Sequence, residues 1–234
     1  MKRSKMILMF VAAFILAAFS VAQADTILLV TSPQPGASTV DWSQLGAAGQ
    51  VLPHSFLAIG NDPNSDSVTG KFAAPNTNKG TLAVQGTNWG GDFNTGDYLV
   101  WAGHLTNGNP VGVGPLSLTF ALGGYNFAGA YFQQDFFGAF TAKLEFFDGT
   151  NSLGFVTESG VSSGTPGTAM FIGGFDLTGS NITRVVFSET AGSHTTDFAI
   201  GTLYYGVVPE PGTMVLLGSG LIGLAGFARR RMSK

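Results

Sequence analysis

One short motif in this sequence has the residue pattern of a serine nucleophile. Gly160-Val161-Ser162-Ser163-Gly164 matches G-x-S-x-G. In enzymes, the serine of this motif lies on a sharp turn between a strand and a following helix. The next residues, Thr165-Pro166-Gly167, are not followed by an apolar helical period. The motif is therefore interpreted as a Ser/Gly loop, no catalytic residue is assigned, and the sequence predicts a protein that is not an enzyme.

A second motif has the spacing of cation ligands. Asp62-Pro63-Asn64-Ser65-Asp66 places oxygen-bearing side chains at alternate positions, as a calcium loop does. It lacks the central glycine and the later glutamate of an EF-hand. An Asx-rich turn is favoured, and calcium at Asp62, Asn64 and Asp66 is the alternative. No other metal or cofactor is predicted, and the absence of cysteine excludes disulfides and thiolate sites.

Aromatic side chains offer a third kind of chemistry. An exposed aromatic ring can stack on the apolar face of a sugar, and four residues are candidates for this role: Trp42, Trp89, Trp101 and Tyr131. Packing in the core is the commoner use of such rings in a β-sandwich. Both interpretations stay open at the level of sequence.

The N-terminus carries a signal for proteolytic cleavage. Three basic residues among the first five precede an apolar segment, 6–19, and Ala22-Gln23-Ala24 is a small-residue cleavage site. Residues 1–24 are therefore predicted to be a secretory signal peptide. Signal peptidase would cut after Ala24 and leave Asp25 as the new N-terminus.

The C-terminus, 209–234, has three parts in a fixed order. Val208-Pro209-Glu210-Pro211 precedes an uncharged apolar segment, 213–228, and then Arg229-Arg230-Arg231 in a basic end, 229–234. A helix of sixteen residues is about 24 Å long, slightly shorter than a hydrocarbon core of about 30 Å. The segment is predicted to be one transmembrane helix. The arginines act as a cytoplasmic stop, so the chain before Pro209 lies outside.

This order of motif, apolar segment and arginine cluster resembles the PEP-CTERM sorting tail of Gram-negative bacteria. The resemblance implies recognition of Val208-Pro209-Glu210-Pro211 by exosortase, a membrane enzyme. It also implies export across the inner membrane, a transient membrane anchor, and a final place at the cell surface or outside the cell. Signal peptidase and exosortase are then the expected processing partners.

Residues 25–208 form the predicted ectodomain. This segment has four basic and thirteen acidic side chains, a formal charge of −9, which argues against a nucleic-acid partner. Apolar residues alternate with polar ones at Phe140, Ala142, Leu144 and Phe146, as in a half-buried strand. Many short strands separated by Gly, Asn, Asp and Pro clusters predict an all-β sandwich or jelly roll.

The ectodomain also resembles a group of uncharacterised PEP-CTERM proteins. The matching runs are Val40–Gly46, Gly114–Phe120, Asp135–Ala142, Phe171–Gly173 and Ile182–Phe187. The closing strand, Asp197–Gly206, is similar to the last strand of galactose-binding-like jelly rolls in that group. Those proteins often carry an acidic pair there, whereas this chain has only Asp197. The resemblance implies a fold rather than an activity.

Two functions are compatible with this sequence. The first is a non-enzymatic structural or adhesive module of the cell surface or the biofilm matrix. The alternative is a carbohydrate-binding module for the exopolysaccharide that surrounds the cell.

Overall fold

The computed structural model describes residues 27–73 and 75–208, and regular structure there is almost entirely β-strand. The predicted all-β class is confirmed. The predicted signal peptide with its cleavage site (Ala22, Ala24, Asp25) and the sorting tail from Pro209 onward lie outside the described residues. Within the described part of the chain, no helix is both long enough and apolar enough to cross a membrane.

The described residues form sixteen strands and one short 3-10 helix, Trp42–Leu45. The strands are β1 (Ile27–Val30), β2 (Ser38–Val40), β3 (Val51–Leu52), β4 (Ser55–Ile59), β5 (Ser67–Phe72), β6 (Gly80–Val84), β7 (Tyr98–Trp101), β8 (Gly103–Thr106), β9 (Asn109–Gly112), β10 (Leu116–Phe120), β11 (Phe127–Gln134), β12 (Gly138–Asp148), β13 (Asn151–Ser162), β14 (Met170–Asp176), β15 (Arg184–Ala191) and β16 (Phe198–Gly206).

Two antiparallel sheets contain most of these strands. The larger has the order β1-β14-β11-β16-β7-β6-β3, with β2 also paired to β16. The smaller has the order β13-β12-β15-β10-β5-β4, and β8 and β9 form a separate hairpin. A single main cluster of buried apolar side chains draws residues from both sheets. The sequence-based prediction of a β-sandwich is therefore confirmed.

Side-chain alternation places β12 as predicted. Phe140, Ala142, Leu144 and Phe146 are buried, while Lys143 and Glu145 lie on the other face and form an ion pair of 3.1 Å. This is the period of two that a half-buried strand requires. The long hydrophobic run of β12 therefore covers one side of the core.

The same reasoning fails at two places. The alternation of Leu116, Leu118, Phe120 and Leu122 with polar or small residues predicts that Leu122 continues the buried face of β10, but β10 ends at Phe120 and Leu122 is 62% exposed. Its N–H donates to Asp66 Oδ1 (3.0 Å) in the following loop. The segment Gly160-Val161-Ser162 was interpreted as a loop, and it forms the end of β13. Its pairing with β12 extends the ladder as far as Ser162.

Strand register defines two ends of the sandwich. β16 ends beside the start of β11 (Gly206 opposite Phe127), and β1 begins beside the end of β14 (Ile27 opposite Asp176). Both termini of the described body therefore leave from one end, which we call the exit end. β11 then runs eight residues to Gln134, so the opposite end, called the distal end, lies about 25 Å away.

Candidate functional site

A cleft opens at the distal end of the sandwich. Its volume is about 210 Å³. Trp89 and Trp101 meet edge to face in its wall, with ring centroids 5.7 Å apart. Two exposed apolar side chains, Leu105 of the β8–β9 hairpin and Phe137, form part of the rim. Gln133 and Asp135 supply polar groups to the same cleft.

Two buried glutamines shape the loop that carries Trp89. Gln85 clamps Gly91 from both sides, because its amide donates to Gly91 O (2.6 Å) and accepts from Gly91 N (3.1 Å). Gln133 Oε1 accepts from the backbone N–H of Asp92 at 2.7 Å and from Trp89 Nε1 at 3.4 Å. A Cβ at Gly91 would lie 2.2 Å from that Gln133 oxygen. Only glycine lets the loop approach this closely.

Trp101 is held by a buried carboxylate. Its Nε1 donates to Asp197 Oδ1 at 2.5 Å, and Asp197 is almost completely buried. The second oxygen, Oδ2, has no hydrogen-bond partner. Glu189, on β15, is also buried, and both of its carboxylate oxygens are without partners. The distal end therefore combines aromatic rings with buried acceptors that lack donors.

Burial and mutual repulsion change the ionisation of these acids. Burial raises the pKa of Glu189 to about 7, with a further contribution from the charge of Asp197. Burial also raises the pKa of Asp135 to about 6, helped by Asp197 and opposed by His194. The pKa of Asp197 rises to about 6 because of burial, although its hydrogen bond from Trp101 acts in the opposite direction. Asp197 thus shares the distal end with two further acids, Asp135 directly after β11 and Glu189 on β15.

The three raised pKa values predict that the ectodomain loses stability as the pH rises. An acid whose pKa is raised by folding binds its proton more tightly in the folded state. Its contribution to the free energy of unfolding is therefore complete below the unfolded pKa and is lost as the pH rises through the folded pKa. Between pH 5 and pH 8 we expect a loss of about 1–3 kcal/mol, after allowance for residual solvation. Urea unfolding at each pH measures it. Glu189→Gln should flatten the profile.

The structure separates the aromatic candidates. Trp89 and Trp101 come together in the wall of the cleft, each with only 7% of its surface exposed, whereas Trp42 is fully buried and donates from Nε1 to Gly201 O at 2.7 Å. Tyr131 packs edge to face against Phe171, with ring centroids 5.3 Å apart. The sugar-stacking hypothesis is therefore wrong for Trp42, whose ring has no exposed face.

The Asp62–Asp66 loop has the hydrogen bonds of an Asx-rich turn. Asp62 Oδ1 accepts from the Asn64 N–H, and Asp62 Oδ2 accepts from the Asp66 N–H and from Tyr205 Oη. Burial opposes ionisation of Asp62, but these hydrogen bonds outweigh it and hold its pKa below the usual value. Asp66 accepts from Tyr125 Oη at 2.8 Å.

The carboxylates of this loop thus accept hydrogen bonds from donors within the protein, and this geometry favours the Asx-rich turn over a calcium loop. Across residues 27–73 and 75–208, no three acidic or histidine side chains are placed to hold a metal ion. Calcium at Asp62, Asn64 and Asp66 stays an untested prediction.

The root of the predicted sorting tail is fixed to the exit end. The Asn126 side chain donates to Val208 O and accepts from Val208 N, each at 2.8 Å. The Val208 side chain packs in a small cluster with Phe127, Phe171 and Phe175. Sequence analysis did not identify Asn126, because a single asparagine before a strand carries no distinguishing signal. The tail therefore begins one residue after a buried, doubly hydrogen-bonded anchor.

Comparison with known proteins identifies the tail. Residues 207–231 match the PEP-CTERM protein-sorting motif. The match begins at Val207, where β16 has ended, and it includes all of Val208-Pro209-Glu210-Pro211. The predicted resemblance is confirmed, and the motif is that of extracellular proteins sorted by exosortase. No curated protein matches the chain.

Proposed function

We propose that this chain is an exosortase-sorted β-sandwich protein that works, without catalysis, as a structural or adhesive module of the cell surface or extracellular matrix. The observation that carries the proposal is the sorting motif at 207–231, which starts where the sandwich ends. A sorting tail fused this closely to a folded body moves that body as one unit.

The fold supports a module of this kind. Eight strands form two halves, β7-β16-β11-β14 and β10-β15-β12-β13, and successive strands alternate between the halves, except at β12–β13, as in a jelly roll. Ser162 of the G-x-S-x-G motif lies in a strand, not on a strand-to-helix turn, and its Oγ accepts from Gln133 Nε2 at 2.6 Å. A nucleophile elbow needs an exposed serine on a turn, so a non-enzymatic role fits better.

Intact-mass measurement of the protein recovered from the surface of the producing cell tests the sorting proposal. We expect material that begins at Asp25 and lacks Arg229, Arg230 and Arg231. Glu210→Ala should abolish tail removal, since it changes the motif but leaves the apolar segment intact. Ser233→Ala, beyond the motif, is the matched control and should be processed normally. Mature wild-type protein that keeps its arginines would refute the proposal.

A carbohydrate-binding role is the second candidate, favoured by the distal cleft. Aromatic walls formed by Trp89 and Trp101 stand beside the polar Gln133 and Asp135, which is the usual composition of a small-ligand pocket. The cleft lies at the end opposite the sorting tail, so an anchored protein would direct it away from the membrane. Its acidic groups favour neutral or amino sugars over uronates, because like charges repel.

Calorimetric titration of the ectodomain with oligosaccharides tests this second function. Phe137→Ala should weaken binding of a neutral or amino-sugar oligomer by about tenfold, the effect of losing about 1.4 kcal/mol of contact. Phe155→Ala removes a ring of similar exposure on β13 (58%, against 65% for Phe137) and should leave the affinity unchanged. Failure of every neutral and amino-sugar oligomer to bind would remove this candidate and leave the sorting proposal intact.

A further inference from the structure

We propose that the exit end of the sandwich is a membrane-docking surface, defined by the exposed side chains of Leu122, Leu177 and Val207, and that its partner is the phospholipid bilayer. The inference rests on the membrane anchor in the proposed function and goes beyond it. It assigns a lipid contact to the folded body itself, at Leu122 and Leu177 as well as at Val207, the first residue of the motif match.

The first argument is the length of chain between the body and the membrane. Val208 is pinned to the body by Asn126, and the predicted membrane segment begins at Thr213. Five Cα-to-Cα steps reach at most about 18 Å, whatever their conformation. The headgroup layer on each side of the hydrocarbon is itself roughly 5–8 Å thick. The exit end is therefore held at or very near the headgroups while the tail is attached.

The second argument is what this end exposes. Leu122 is 62% exposed, Leu177 45% and Val207 64%. They come from three separate segments, the β10–β11 loop, the residue after β14 and the residue after β16. These segments meet around Asn126, which accepts from Asp176 N and donates to Gly206 O through its own backbone. Three large exposed apolar side chains therefore lie on the segments that meet at the root of the tail.

The third argument is that two of the loops are fixed by buried acids whose oxygens accept internal hydrogen bonds. Asp66 accepts from Leu122 N (3.0 Å) and Tyr125 Oη (2.8 Å). Asp176 accepts from Thr178 N (2.8 Å) and Asn181 Nδ2 (3.0 Å). Both carboxylates are buried. The same end also exposes polar residues of the β4–β5 and β12–β13 turns, among them Asn64, Asp148 and Asn151. The apolar contact is therefore confined to the patch of Leu122, Leu177 and Val207, and a zwitterionic lipid is the expected partner.

The experiment uses the complete absence of cysteine in this chain. Leu122→Cys and Leu177→Cys, each in the full chain with its tail, are labelled with an environment-sensitive fluorophore and reconstituted in phosphatidylethanolamine–phosphatidylcholine vesicles. Leu105→Cys on the distal hairpin is the matched control, because Leu105 is also 62% exposed. We expect blue-shifted emission and several-fold stronger quenching by spin-labelled lipid at positions 122 and 177 than at 105. The difference should persist in about 0.5 M salt, which screens surface charge.

The outcomes separate this inference from the proposed function. Vesicle-bound protein whose labels at 122 and 177 behave like the label at 105 would overturn docking and leave the anchor standing. Protein that does not float with vesicles would overturn both. Shielding seen in cells but not in pure lipid would place a protein partner at this end and overturn the lipid assignment. If one variant does not fold, the other carries the test.

Discussion

Phe146→Ala should lower the free energy of unfolding of the ectodomain by about 3–5 kcal/mol, the cost of deleting a fully buried phenyl ring and leaving a cavity. Phe146 has no exposed surface and belongs to the main core cluster. Its ring fills the space beside Gly174, where a Cβ would lie 2.3 Å from Phe146 Cζ. Urea unfolding of residues 25–208, followed by circular dichroism, measures the loss.

Glu145→Ala is the matched control for Phe146→Ala. Glu145 is the preceding residue of β12, and its side chain is 29% exposed in an ion pair with Lys143. Exposed pairs contribute about 1 kcal/mol or less, so the control should cost little. Equal losses from the two variants would contradict the strand register. Gly174→Ala should also destabilise the protein, and less so when Phe146 is replaced as well, because the two positions share one space.

Asp92→Ala should cost about 3–4 kcal/mol, although Asp92 lies outside the main core. Its carboxylate is 1% exposed and organises the loop between β13 and β14. It accepts from Ser163 N (3.0 Å), Ser163 Oγ (3.0 Å) and Thr165 N (2.8 Å). Hydrogen bonds to a charged acceptor contribute about 1.5–3 kcal/mol each, and water that reaches the exposed Ser163 and Thr165 recovers part of this loss. Thermal and urea unfolding of the variant measure the effect.

Asp97→Ala provides the comparison for Asp92→Ala. Asp97 Oδ2 accepts from Asn94 N (3.0 Å) and Asn94 Nδ2 (3.3 Å) in an exposed turn. Water can replace that acceptor, so the expected loss is about 1 kcal/mol or less. A loss from Asp92→Ala as small as this would show that water reaches the loop and that Asp92 is not its organiser.

Sequence patterning predicted most of the strands because a half-buried strand must alternate its side chains. The sequence predicts strands at Ser55–Ile59 and Tyr98–Trp101, which are the limits of β4 and β7, and β12 has the predicted inward face. The Asn- and Gly-rich run Thr106–Pro110 predicts only a turn, so the sequence does not predict the hairpin of β8 and β9. Its positive-φ residues Asn107 and Gly108 do form the turn. The strands on either side carry no alternation, because they lie outside the two main sheets.

The candidate cleft could not be found from the sequence for a different reason. Trp89 and Trp101 are twelve residues apart in the sequence, and Asp135 and Asp197 are sixty-two residues apart. Only the pairing of β11 and β16 in one sheet brings the end of β11, next to Asp135, beside the beginning of β16, next to Asp197. Sequence reasoning did name Trp89 and Trp101, from residue type alone. It also named Trp42, whose burial depends on contacts with distant strands.

The sequence by itself determined the sorting tail, the all-β class and the lack of cysteine chemistry. Those properties depend on composition, on short motifs and on the alternation of apolar and polar side chains along a strand. Residues close together in the sequence are sufficient to specify all three. The tertiary structure decided that the tail root is clamped by Asn126, that the acids of the distal end share one environment, and that Leu122 faces outward. These depend on strand pairing between segments far apart in the chain, where burial and electrostatic coupling arise only after folding.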